Sequence, residues 1–225
     1  MNFQSLKIHR QLLKALKKLS LIEATDVQKK IIPLIQEGKD IMVSAQTGSG
    51  KTATFLLPTL HFMLEKDAPR SSTRSLILLP TRELAIQTQA SLKQLASFTY
   101  IKSGLIIGGE AFKHQVATLR KNPEIIIATP GRLVEHIEKG TTDFNDLEIL
   151  ILDEADRMLD MGFADEMHAI SKSCNKNRQN LLFSATLNHR GFSQIKTMFK
   201  DPKLIKIDSA RQCPPQISQQ IILCD

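Results

Sequence analysis

Two segments carry residue types and spacings suited to phosphate chemistry: Ala45-Gln46-Thr47-Gly48-Ser49-Gly50-Lys51-Thr52 and Asp153-Glu154-Ala155-Asp156. In the first, Gly48 and Gly50 let the backbone approach an anion without a Cβ in the way. Successive N–H groups at a helix start add partial positive charge. Lys51 can reach the β- and γ-phosphates of a nucleoside triphosphate, and the Thr52 hydroxyl can serve a magnesium ion. Ala45 stands where such loops usually open with Gly. In the second segment, Asp153 can hold magnesium through water, because that ion keeps several of its waters. Glu154 can orient and deprotonate an attacking water, the remaining task in phosphoryl transfer to water. For Asp156 a plainer alternative stays open: an acid at a helix start that favours the dipole.

These side chains need strands and helices to hold them. Short apolar runs recur at Ile41–Ser44, 76–79, 105–107, Ile125–Ala128, Ile149–Leu152, 181–184 and 204–207. Most are continuous rather than alternating, as in strands buried on both faces. Between them lie stretches of helical period: 52–65, then Leu84, Thr88, Leu92 and Leu95, then Phe112, Val116 and Leu119. This alternation predicts an α/β fold, a mostly parallel sheet with helices on both faces, with ligands at the carboxyl edge of its strands. One domain is expected over 1–207. Residues 208–216, with Pro214-Pro215, read as a linker. Residues 217–225 read either as a short docking strand or as the start of a second domain. Near the N-terminus, Leu12, Leu13, Leu16 and Leu19 predict a helix over 6–19, whose lysines read as a solvated face.

The chain has 225 residues, enough for one large core, and a formal charge of +7 that suits a polyanionic partner without demanding one. Cys174, Cys213 and Cys224 have neither metal-ligand spacing nor an even count, which argues against a zinc site and a disulfide framework. No apolar run approaches the ~20 residues that span a bilayer. A soluble, intracellular protein without a membrane partner is expected.

Taken in chain order, Phe3, Thr25 and Gln28, then 45–52, Pro80-Thr81-Arg82-Glu83-Leu84-Ala85, Gly108-Gly109, Thr129-Pro130-Gly131-Arg132, 153–156 and Ser184-Ala185-Thr186 resemble the first RecA-like domain of DEAD-box RNA helicases. The resemblance covers nearly the whole chain. It implies a RecA-like P-loop fold, ATP and Mg2+ as ligands, and RNA as partner. Gln28, with Thr25 beside it, would read one edge of adenine, since an amide donates and accepts at once. Phe3 would stack on the base, although in isolation a place in the core suits it better. Ser20, Leu21, Ala24 and Asp26 depart from the family, where Gly, Phe, Pro and Pro are common. Pro80, Thr81, Arg82, Gly108, Gly109, Thr129, Pro130, Gly131 and Arg132 would contact the RNA backbone, which carries little sequence information. Taken singly, Thr129-Pro130 is also a good helix start and Gly108-Gly109 a good turn. Ser184 and Thr186 would link hydrolysis to strand separation, their hydroxyls bonding to Asp156.

The implied activity is RNA-stimulated ATP hydrolysis coupled to local duplex unwinding, in the cytoplasm. This chain would be the N-terminal half of the motor, and a second RecA-like domain would complete the site. The alternative is a module that binds RNA and adenine nucleotide with no significant turnover alone. A P-loop ATPase that is not a helicase would leave Gln28, 129–132 and 184–186 as accidents.

Overall fold

The computed structural model describes residues 2–45, 50–66, 72–187 and 191–207. Among these residues seven strands, β1 (Ile41–Ser44), β2 (Ser75–Leu78), β3 (Ser103–Ile106), β4 (Ile125–Ala128), β5 (Ile149–Leu152), β6 (Gln179–Ser184) and β7 (Lys203–Lys206), form one sheet in the order β3-β4-β2-β5-β6-β1-β7. Every pairing is parallel. The seven apolar runs of the sequence all become strands, three with the same bounds and four with ends shifted by one or two residues. The linker and the run over 208–225 lie outside the described residues.

Parallel strands need crossovers, and the helices supply them. The first face carries α1 (Arg10–Lys18), α2 (Asp26–Gln36), α3 (Lys51–Glu65) and α4 (Arg82–Leu95). The second carries α5 (Phe112–Leu119), α6 (Pro130–Glu138), α7 (Ala155–Asp160), α8 (Ala164–Ser173) and α9 (Phe192–Lys196). Because strand side chains alternate, every strand but β7 serves both cores. Val43, Ile77, Ile151 and Phe183 pack with the first set, Met42, Leu78, Leu152 and Leu182 with the second. Burial on both faces is why these runs carry no polar alternation. β7 closes one edge with lysines outward and only Ile205 buried, a strand poorly suited to pairing with another chain.

Register places the carboxyl ends in line. Ser44 pairs with Ser184, Leu182 with Leu152, Leu152 with Leu78, Leu78 with Ala128 and Ala128 with Ile106. The ladder runs one residue further: Ala45 donates its N–H to Ser184 O, Asp153 to Leu78 O and Thr129 to Ile106 O, at 3.0, 3.0 and 3.1 Å. Each motif therefore leaves the sheet from a fixed point.

Candidate functional site

At the β1 exit, Lys51 is buried at the start of α3, and its ammonium donates to the Ala45 carbonyl at 2.9 Å. Gln46, Thr47, Gly48 and Ser49, named above as phosphate-binding, lie outside the described residues. A cleft of 330 Å³ opens beside the loop, lined by Gly50, Lys51, Thr52, Asp153, Glu154 and Thr88. Gln87 and Ser91 of α4 also line it. Sequence reading missed them, since three polar residues on one helix look like an ordinary solvated face. A larger hollow of 690 Å³, lined by His61, Glu148 and Arg178, contains none of the motif residues.

Asp153 is 6% exposed. Burial pushes its carboxyl up to about 6, against the pull of the Lys51 charge and of the Glu154 N–H that it accepts at 3.0 Å. A carboxylate so placed favours a cation on the cleft side. The donor set fits magnesium, because one carboxylate and the Thr52 hydroxyl leave most positions to water and phosphate oxygens. Among the described residues no three acid, His or Cys side chains cluster into an all-protein cage. Glu154 sits at φ 52°, ψ 49°, a left-handed conformation that costs a non-glycine residue of order 1 kcal/mol. The sharp turn sets the Glu154 side chain beside the cleft, where Arg157 donates to it at 3.3 Å.

Asp156 is more than a helix start. Its carboxylate accepts from the backbone N–H groups of Ala185 and Thr186 at 3.2 and 3.0 Å. Its own N–H donates to the Ser184 hydroxyl at 3.3 Å, and that hydroxyl donates to Thr186 O at 2.6 Å. The expected link between 153–156 and 184–186 exists. The Asp156 carboxylate makes it through main-chain donors, and the Ser184 hydroxyl meets the Asp156 backbone instead.

Thr25 caps α2, and Gln28 completes a capping box: Thr25 Oγ1 accepts from Gln28 N at 3.4 Å, and Gln28 Oε1 accepts from Thr25 N at 2.9 Å. Gln28 Nε2 also donates to Gly50 O at 3.3 Å. The amide thus joins α2 to the end of the phosphate loop while one N–H and one lone pair remain. Phe3 is 3% exposed and packs in the core with Leu6 and Leu16. No ring face is open for a base in this structure, and the core position that suits Phe3 in isolation is the one observed.

On the β2, β3 and β4 side, Thr81 caps α4 by accepting from Leu84 N at 3.3 Å, and Arg82 is exposed. The Arg82 guanidinium lies against Gly109, where a Cβ would overlap it and where φ is +76°. Gly108 donates its N–H to Thr129 Oγ1 at 3.4 Å, joining two of the loops, and Pro130 starts α6. At Gly108 and Gly131 φ is not positive, and a Cβ would meet nothing within 4 Å. Neither folding geometry nor packing asks for Gly there, so the space suits an approaching ligand backbone. Arg132 differs from expectation. Its side chain is 16% exposed and bonds to Glu110 O at 2.7 Å, Gln115 Oε1 at 3.1 Å and Glu135 at 3.0 Å. Its Nε and Nη1 are taken by protein partners, which leaves the Nη2 side of the fork for any outside ligand.

The family model for the DEAD/DEAH box helicase matches residues 25–195. The chain is 49% identical over 221 residues to the probable ATP-dependent RNA helicase ddx27 of Dictyostelium discoideum, covering 98% of this chain and 28% of that protein. It is 44% identical over 224 residues to the ATP-dependent RNA helicase DRS1 of Saccharomyces cerevisiae, covering 98% and 30%. Among solved structures, a DEAD box protein from the hyperthermophile Methanococcus jannaschii superposes with a TM-score of 0.85 at 38% identity, over 92% of this chain and 56% of that one. A hypothetical ATP-dependent RNA helicase from Sulfolobus tokodaii gives 0.80 at 34%, over 89% and 57%. The chain spans less than a third of the length of the first two relatives. With a parallel RecA-like sheet, a Gly-Lys-Thr helix start and an Asp-Glu-Ala-Asp turn at one edge, the chain belongs to the DEAD/DEAH box helicase family.

Proposed function

We propose that this chain is the ATP-binding half of an ATP-dependent RNA helicase, in which RNA-stimulated hydrolysis of ATP is coupled to local duplex opening. The observation that carries this reading is the strand order. β5, β6 and β1 stand side by side and bear 153–156, 184–186 and 45–52, while β3, β4 and β2 stand side by side and bear 108–109, 129–132 and 80–82. Two ligands can therefore lie along one edge and meet at the β2–β5 junction, where Thr88 and Asp153 share the cleft.

In this reading Lys51 exchanges the Ala45 carbonyl for the β- and γ-phosphates of ATP. Gln28 turns its remaining donor and acceptor to adenine, and Phe3 reaches the base only if its ring leaves the core. Mg2+, held through water by Asp153 and at the Thr52 hydroxyl, would neutralise charge on the phosphates. Glu154 takes a proton from the attacking water as its oxygen bonds to the γ-phosphorus and the bond to the β–γ bridging oxygen breaks, giving ADP and phosphate. The Asp156 ties carry the change to 184–186. Arg82 and the open backbone at Gly108 and Gly131 receive RNA phosphates. A second RecA-like domain supplies the remaining cationic groups; an arginine finger is worth roughly 10³–10⁵ in rate. Cys174 is free and buried, compatible with the reducing cytoplasm as compartment.

The test is ATP turnover by this chain, with and without single-stranded RNA, beside Glu154→Gln. Slow turnover by the wild-type chain is expected; in Glu154→Gln, ATP affinity should be kept and turnover lost. Loss of binding in the variant would assign Glu154 a structural role. Brisk turnover by the chain alone would contradict the need for a second domain.

A further inference from the structure

α5 presents Gln115 inward at 1% exposure, and its amide has no spare capacity. Nε2 donates to Ile107 O at 2.6 Å and to Glu110 Oε2 at 3.4 Å. Oε1 accepts from Arg132 Nη1 at 3.1 Å and faces His136 Nε2 at 3.0 Å. Two donors and two acceptors are all that an amide has. The residues it joins come from two places. Ile107 and Glu110 flank Gly108-Gly109, and Arg132 and His136 lie on α6, directly after Thr129-Pro130-Gly131. His136 is 0% exposed, stacks on Phe112 with centroids 4.1 Å apart, and holds the Thr141 hydroxyl at 2.8 Å. Arg132 adds a second tie by donating to Glu110 O at 2.7 Å.

We infer that Gln115, with Arg132 and His136, is a positioning centre that fixes the 108–109 and 129–131 loops relative to one another, so that both meet one polynucleotide backbone in register. This rests on the RNA reading given above. Gln115 touches no ligand, and Arg132 acts through the loops it braces rather than as a phosphate ligand. Buried polar networks of this kind specify one geometry only when every member is satisfied. Removing the amide leaves one N–H of the partly buried Arg132 guanidinium, the His136 Nε2 and the Ile107 carbonyl to find new partners, and the two loops lose their common anchor.

The experiment follows the affinity of this chain for a fluorescein-labelled oligouridylate across a salt series, with Mg-ADP affinity and the thermal midpoint measured on the same samples. Gln115→Met, of similar size, should weaken RNA binding roughly tenfold, the worth of one hydrogen bond to a charged group. The salt slope should not change, because no cation is lost, and Mg-ADP affinity should stay within twofold of wild type. Arg82→Ala serves as the direct-contact comparison and should lower the salt slope by about 0.7. If Arg82→Ala weakens RNA binding and Gln115→Met does not, the positioning role is overturned while the RNA reading stands. If the wild-type chain does not bind the oligouridylate, the RNA reading itself fails. If Gln115→Met does not fold, Arg132→Lys decides. It keeps the charge and loses the fork, so near-wild-type RNA affinity would refute the inference and a loss with Mg-ADP affinity retained would support it.

Discussion

Asp153 shows at the scale of one residue how the site is held against stability. Its carboxyl is raised from 3.8 to about 6 by burial, so the nucleotide-free fold keeps the proton to higher pH than the unfolded chain does. A raised carboxyl binds more protons in the native than in the unfolded state. Stability therefore falls as pH rises from about 4 to about 6, and the full penalty is present above that window. A shift of this size corresponds to roughly 3 kcal/mol. Asp153→Asn keeps an oxygen for the Glu154 N–H and removes the charge. Urea unfolding at a series of pH values should show the variant more stable than wild type above pH 6 by up to about that amount, with the gain vanishing near pH 4. A variant no more stable at pH 7 would mean that Lys51 already compensates the charge without a bound cation.

At the scale of the element, α2 both starts a helix and joins the phosphate loop. Thr25→Ala should cost about 1 kcal/mol of stability, the usual worth of an N-cap. The Thr25 N–H that holds Gln28 Oε1 and the Gly50 carbonyl that accepts from Gln28 Nε2 are both kept, so ATP affinity should change little. Gln28→Ala should weaken ATP binding and reduce discrimination against GTP; titration of both nucleotides checks this, and unchanged discrimination would remove Gln28 from the base site. Much of this level was legible beforehand. Every strand could be read as an apolar run, and 52–65 as a helix, because burial on both faces and a Gly-Lys-Thr start leave plain marks. The capping box of Thr25 and Gln28 also has a spacing signal, three residues apart, but the adenine role alone is read from those two residues. What could not be read is which polar groups are used up inside. Arg132 looks from sequence like any exposed loop arginine. Gln115 interrupts the apolar stripe of Phe112, Val116 and Leu119, yet it is the most buried residue of the four, because its amide is matched by partners from two other segments. Such matching depends on residues 17 and 21 positions away, and no local pattern carries it.

For the whole molecule, strand order is the decisive fact and the one least visible in the sequence. Alternating strands and helices announce a parallel sheet but leave its permutation open. The order β3-β4-β2-β5-β6-β1-β7 sorts the motifs into two neighbouring groups on one edge, so that a nucleotide and a polynucleotide can each be held and can influence one another through Asp156 and the 184–186 segment. The most direct measurement is amide hydrogen exchange of this chain, mapped separately with saturating Mg-ADP and with single-stranded RNA. Nucleotide should protect 25–28, 50–54 and 153–154, and RNA should protect 81–84, 108–110 and 129–132. RNA protection centred on α1 or on the opposite edge near Arg178, with the three loops unchanged, would contradict it.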